Sequence, residues 1–279
     1  MKTFNISILI VLYFVLFSCS GEKQKNDLIK DRLKGNVKSV TSTTFIGTTK
    51  FGEFQKQNIL TSCMLLYNKD GYSTGGCNYN TDGSLKNRFT EKHSNSGNKV
   101  EVALYGLDGK LLEKYTYVYD VNEKMVEANH FKLYGILDNK TTYKIDDKEN
   151  SVEENNYGSD GSLQYKRINK YNSKGNIIEL SYFNPNGSMI QKDNCDFDNN
   201  GNVVKNYNYK SDGALNEVNT YKFDVNDNLL EKYNYNASGI LISKNADNYI
   251  FDKIGNWVKQ NTYENGIQTK LTERTIEYY

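Results

Sequence analysis

The sequence predicts an all-β protein: tandem antiparallel β-hairpin repeats of period 26 forming a twisted, superhelical or solenoid-like sheet. Three observations predict it. Aromatic residues recur in columns, hairpin-turn chemistry follows each column, and 23 Tyr and 12 Phe stand against a single Pro. Tyr67, His93, Tyr119, Ile145, Tyr171, Phe197 and Phe223 are each 26 apart, and Phe251 follows after 28. Tyr79, Tyr105, Phe131, Tyr157, Phe183, Tyr209 and Tyr235 keep the same spacing of 26, with Tyr263 again 28 later. Each repeat thus holds two turns, 12 and 14 residues apart.

In chain order, residues 1–18 read as a signal peptide, with Lys2 as a short positive region ahead of an apolar run over residues 6–17. A run of about a dozen apolar residues is too short to span a bilayer, which takes about 20. The run ends in Leu16-Phe17-Ser18-Cys19, which resembles the lipobox of bacterial lipoproteins. The resemblance implies acylation of Cys19, cleavage before it, and a membrane contact through that lipid. Polar and charged residues complete a segment, 19–34, expected to be the lipidated Cys and a flexible tether. Serine after the Cys and the Asn-, Lys- and Tyr-rich composition look like a Gram-negative lipoprotein of the outer membrane, facing either the periplasm or the cell surface.

Residues 35–66 are expected to hold N-terminal capping strands, residues 35–44 covering an edge that would otherwise be open to pairing. Residues 67–279 carry the repeat array. Aromatic residues suit a pleated surface, and the intervening stretches, Asn172-Ser173-Lys174-Gly175-Asn176 or Ser211-Asp212-Gly213, tolerate the positive φ of tight turns. Strands of about seven to nine residues remain between them, some 16 in all.

The spacings 26, 12 and 14 are even, so strict alternation returns every column to one face. Tyr207, Tyr209, Tyr221, Phe223, Tyr233 and Tyr235 are odd-numbered, while Asn206, Asn208, Lys222, Lys232 and Asn234 are even. One aromatic face and one polar face are expected. The aromatic face is too large to leave in water, so the sheet must curl until that face is its interior.

Residues 221–229 and 249–258 carry best a pattern, Tyr-x-Tyr/Phe-Asp-x-x-Gly-Asn-Leu/Val, that resembles the YD repeats of the RHS family. The hairpin repeats of MORN-like proteins are similar. The YD resemblance implies a spiralling β shell, although this chain stops at Tyr279, just after the last repeat, with no long cargo segment.

Catalytic signals are sparse. With 35 Lys plus Arg against 34 Asp plus Glu and no basic block, nucleic-acid binding is disfavoured. Of the two histidines, His93 and His130, the first fills a column otherwise held by Tyr, Phe or Ile and reads as a variant core or turn residue. No zinc spacing, triad or phosphate-cradling loop appears, so no metal, cofactor or catalytic residue is assigned. Residues 196–201 imitate the start of a calcium loop, but Tyr207 stands where a bidentate Glu is needed, and a plain turn is favoured. Cys63 and Cys77 lie seven residues either side of Asp70, so a hairpin centred there would set them opposite each other. A disulfide is expected, with two buried thiols as the other outcome. Trp257 replaces the aliphatic residue of sister repeats and reads as a packing residue or a ligand contact. The function expected is a non-catalytic, envelope-anchored lipoprotein presenting a β-repeat surface to glycan or protein. The alternative is a structural shell component or a toxin-system-associated YD-repeat protein.

Overall fold

The structure, a computed structural model, describes residues 26–279 apart from Asp147 and Glu149. The expected signal peptide and Cys19 lie outside the described residues. One helical turn, α1 (Asp27–Lys30), precedes β1 (Val37–Lys50), β2 (Glu53–Tyr67), β3 (Ser73–Tyr79), β4 (Leu85–His93), β5 (Lys99–Tyr105) and β6 (Leu111–Tyr119). There follow β7 (Met125–Lys132), β8 (Ile136–Ile145), β9 (Ser151–Gly158), β10 (Leu163–Tyr171), β11 (Ile177–Phe183) and β12 (Met189–Phe197). The last six are β13 (Val203–Tyr209), β14 (Leu215–Phe223), β15 (Leu229–Asn236), β16 (Leu241–Phe251), β17 (Trp257–Glu264) and β18 (Ile267–Tyr278). From β3 to β17 each strand ends on, or one residue past, one of the two aromatic columns.

Every strand pairs antiparallel with its neighbours in sequence, and β1 also pairs with β18, from Ser39 opposite Glu277 to Ile46 opposite Lys270. The sheet is therefore a closed 18-stranded β-barrel. This corrects the expectation of an open superhelical or solenoid-like sheet. Closure leaves no row of unpaired backbone groups at an edge, so β1 does not cover an edge but removes it.

The turns are built as their residues dictate. Asp198 Oδ1 accepts the N–H groups of Asn200 and Asn202, both at 2.9 Å, while Gly201 takes φ +87°. Asp146, Asn172, Asp224 and Asp252 repeat this bond to the residue four further on, so one side chain holds each turn closed. Residues 196–201 are therefore the end of β12 and the hairpin turn after it, with the Asp198 carboxylate already committed to the turn's own backbone.

The faces differ from expectation. Between β13 and β14, Asn208 opposes Glu217 but Tyr209 opposes Leu215, leaving one extra residue. Between β12 and β13 the same shift follows Asp196 opposite Lys205. Such a bulge changes the parity, so mid-strand Tyr207 opposes Val218, and Tyr207 and Tyr221 lie on opposite faces of the wall. The one-residue shift recurs between successive strands around the ring, and the single aromatic face is corrected to two mixed faces.

The N-terminal segment shows which face is inside. Asp27 touches His93 at the end of β4, and Arg32 donates to the Asp227 carbonyl between β14 and β15. Around the outside those points are eight strands apart, about 38 Å at 4.8 Å per strand. Five residues reach at most about 18 Å. The segment therefore crosses the barrel mouth as a chord. Residues 26–34, expected in the tether, are part of the fold. Leu28 N–H donates to the Gly71 carbonyl at 3.0 Å, and Lys34 N–H to Asn256 Oδ1 at 2.7 Å. Leu28, Val37, Val40 and Tyr67 form a small buried cluster, with Leu65 and Ile276 packed against it. Val40, Leu65 and Ile276 thus face inward, and following the pairings around the ring puts Glu91, Arg167, Asn219 and Tyr221 on that same inner face.

Candidate functional site

Inside the barrel the wall is polar. Asn234 Nδ2 donates to Asn219 at 3.1 Å, Asn208 to Asp193 at 3.0 Å, Asn156 to Thr141 at 3.0 Å, and the Thr262 hydroxyl to Asp247 at 2.6 Å. These bonds link neighbouring strands and give the amides concerned a partner on the adjacent strand. Asn169 and Asn219 are buried by their neighbours, while much of the remaining wall is only half-buried.

One polar cluster on this wall spans β8 to β11. Arg167 is ion-paired with Glu154 on the adjacent strand, and the Asn169 amide donates to the same carboxylate oxygen at 3.0 Å. The guanidinium lies 6.0 Å from the Tyr182 ring centre. Both members of the ion pair are largely enclosed, and their mutual attraction and the extra hydrogen bond offset the loss of water. Tyr165, two residues before Arg167 on the same inner face and opposite Asn156, keeps 40% of its surface exposed. Burial and then the Glu154 charge raise the phenol pKa values of Tyr143, Tyr165 and Tyr171, that of Tyr171 to about 12. These phenols stay neutral and can donate hydrogen bonds. The arrangement is an exposed ring beside fixed, planar polar groups on a concave surface.

The two histidines sit at opposite rims. His130 stacks on Tyr115, with ring centres 4.3 Å apart and planes 5° from parallel. Its Nε2 lies 3.4 Å from Glu113 and its Nδ1 3.1 Å from Asp138, so each nitrogen faces a carboxylate. His93 stands under the N-terminal segment, its Nε2 2.9 Å from Asp27 Oδ2. Burial holds the His93 pKa below the ordinary imidazole value, against the pull of the Asp27 charge, and so favours the neutral ring. For Asp27 burial acts upward, but the Ser73 N–H bond and nearby positive charge, Lys99 and Lys30 foremost, outweigh it and keep the carboxyl low. Glu91 completes the group and is held by Lys99 Nζ at 2.7 Å. A cavity of about 350 Å³ opens beside Ser73, Glu91 and His93. Another, of about 290 Å³, lies where Arg32 and Leu33 approach Asn228 and Trp257.

The structure separates Cys63 and Cys77. Cys63 opposes Asn78 and Cys77 opposes Met64, a register one residue away from the one a disulfide needs, so the two thiols point to opposite faces and are free. Tyr67 opposes Ser73 but Leu66 opposes Gly75, so the bulge at Thr74, at the start of β3, causes this. Burial pushes the Cys63 and Cys195 thiols up. Trp257 packs under the Arg274 guanidinium, 3.3 Å from its ring centre, and tilts against Tyr249. Sequence reasoning missed the contact of His93 with Asp27, whose only signal was an imidazole in an aromatic column.

No family model and no curated protein matches this chain. Similar solved structures exist. A porin-like protein from Bacteroides uniformis is 11% identical at a TM-score of 0.46, covering 88% of this chain and 98% of its own. A porin-like protein from Bacteroides vulgatus, also 11% identical, has a TM-score of 0.38 and covers 87% and 98%. The TcdB2-TccC3-Cdc42 structure, 15% identical at a TM-score of 0.34, matches over 85% of this chain but only 15% of that one. The YD and MORN resemblances are thus likenesses of motif without a matching family.

Proposed function

We propose that this chain is a non-catalytic lipoprotein of the outer membrane, held through lipid on Cys19, whose barrel is an aqueous chamber that binds glycan on its inner wall. The observation that carries the reading is exposed Tyr165 beside the enclosed Arg167–Glu154 pair. Aromatic rings stack on the apolar faces of sugars, while fixed amides, guanidinium and carboxylate match hydroxyls, and a concave wall gathers several such contacts at once.

The charge pattern supports a barrel that stands in water rather than in lipid. Outward-facing Lys170 pairs with Glu179, Lys222 and Lys244 with Glu231, and Lys140 with Glu127. A lysine on the lipid face at mid-membrane costs about 2–4 kcal/mol, and a membrane barrel carries an apolar band there instead. The inner face offers no such band either, since Glu154, Arg167, Asp193 and Asp247 lie on it.

The test is a glycan-array screen of residues 26–279, with hits confirmed by titration against Tyr and Trp257 fluorescence. Saturable binding to one glycan class, weakened about tenfold or more by Tyr165→Ala, is expected. Silence across the array, or binding indifferent to that substitution, would remove the reading and leave a protein partner to be sought by pull-down.

A further inference from the structure

We propose that Asp27, Glu91 and His93 form a divalent-metal site, of a kind suited to Zn²⁺, that locks the N-terminal turn into the barrel mouth. One ligand atom from each of the three lies within 4.8 Å of the other two. A tetrahedral zinc with bonds of about 2.0–2.2 Å sets its ligand atoms about 3.4 Å apart, so modest side-chain rotations assemble the set. Glu91 and His93 are two apart on β4 and share its inner face, while Asp27 arrives from the segment that crosses the mouth. An imidazole with two carboxylates is a donor set that zinc accepts.

Ser73 supplies the independent observation. It is only 5% exposed and its Oγ has no hydrogen-bond partner, although its N–H is bound to Asp27 at 2.9 Å. It lines the same cavity as Glu91 and His93. A buried hydroxyl without a partner, next to three ligand-type side chains, is the place where a metal or its water would complete the bonding.

Two ammonium groups now compensate the carboxylates. Lys99 Nζ is 2.7 Å from Glu91, and Lys30 Nζ is 3.3 Å from Asp27. Both lysines are about a third exposed, 31% and 30%, and can swing into water, whereas Asp27 and Glu91 are 8% and 10% exposed and cannot. Metal therefore competes with lysine for the same oxygens. Because one ligand comes from the crossing segment and two from the wall, binding would hold the mouth closed.

The experiment uses the full chain in mild detergent, stripped with a chelator and titrated with Zn²⁺ by calorimetry and with Co²⁺ by visible absorption. One equivalent should bind, raise Tm and give the intense bands of four-coordinate Co²⁺. His93→Gln should weaken binding about tenfold or more while His130→Gln leaves it unchanged, and Lys99→Met, which removes the competitor, should tighten it. If H93Q does not fold, Glu91→Gln carries the same expectation. No saturable binding to the stripped chain, binding that survives H93Q or E91Q, or a K99M variant that binds no tighter would each overturn the site.

Discussion

At the scale of single residues, the chemistry is governed by which face of the wall a side chain occupies. Cys63 opposes Asn78 rather than Cys77, so the three described thiols should all react with Ellman's reagent after denaturation without reductant. A count of one would mean that the register of β2 and β3 is wrong. In the native protein Cys63 and Cys195 should react slowly, since burial holds their thiols protonated. Backbone strain is equally local. Glu123 and Asp227 sit at φ 63° and 61°, at turn positions where sister repeats place Gly97, Gly175 and Gly201. Glu123→Gly should raise stability by about 1 kcal/mol in urea unfolding, because a left-handed residue with a Cβ is strained there. Asp227→Gly should give no such gain, since the Asp227 carboxylate accepts from Asn200 at 3.1 Å and Asn202 at 2.7 Å.

Among the strands, cross-strand pairs hold the outer face. Glu231 accepts from Lys222, Lys244 and Tyr233, and these bonds hold its pKa down at about 2 against an ordinary value near 4.5. A carboxyl whose folded pKa is depressed stabilises the fold above its unfolded value, and that contribution is lost as pH falls toward 2. Glu231→Gln should therefore lower stability at pH 7 by up to about 1 kcal/mol, the range for an exposed pair. Urea midpoints of the two proteins should converge between pH 4.5 and pH 2; a gap that persists at pH 2 would assign the effect to packing rather than charge. Strands and turns were legible in the sequence because Asp/Asn and Gly at fixed offsets leave a chemical mark at every hairpin. Faces were not. A bulge adds one residue without changing an even repeat length, so Tyr207 and Tyr221 share parity in the sequence and part company in the wall. The contact of Asp27 with His93 was hidden for a different reason, since nothing local to either residue announces a partner 66 positions away.

Over the whole molecule, the closing contact is β1 against β18, and it has no signal in the repeat because each strand looks like its neighbours. Its consequence is mechanical. In an open solenoid each unit touches only the next, so removing the terminal strand costs roughly one interface and the rest persists. In a closed ring, removing β18 strips partners from both β1 and β17 and creates two long edges where there were none. The removed strand also carries Leu271, Ile276 and Tyr278, of which Ile276 and Tyr278 pack against the Leu28 cluster, and Tyr278 donates to Asp252 at 2.5 Å. Truncation after Asn265 should therefore abolish the cooperative unfolding transition and give aggregation in gel filtration. Survival of a folded monomer with a modestly lower Tm would show that the ring is not closed in solution. Interior chamber, crossing segment and metal lock all depend on that closure, so this truncation tests the frame on which the two proposals stand.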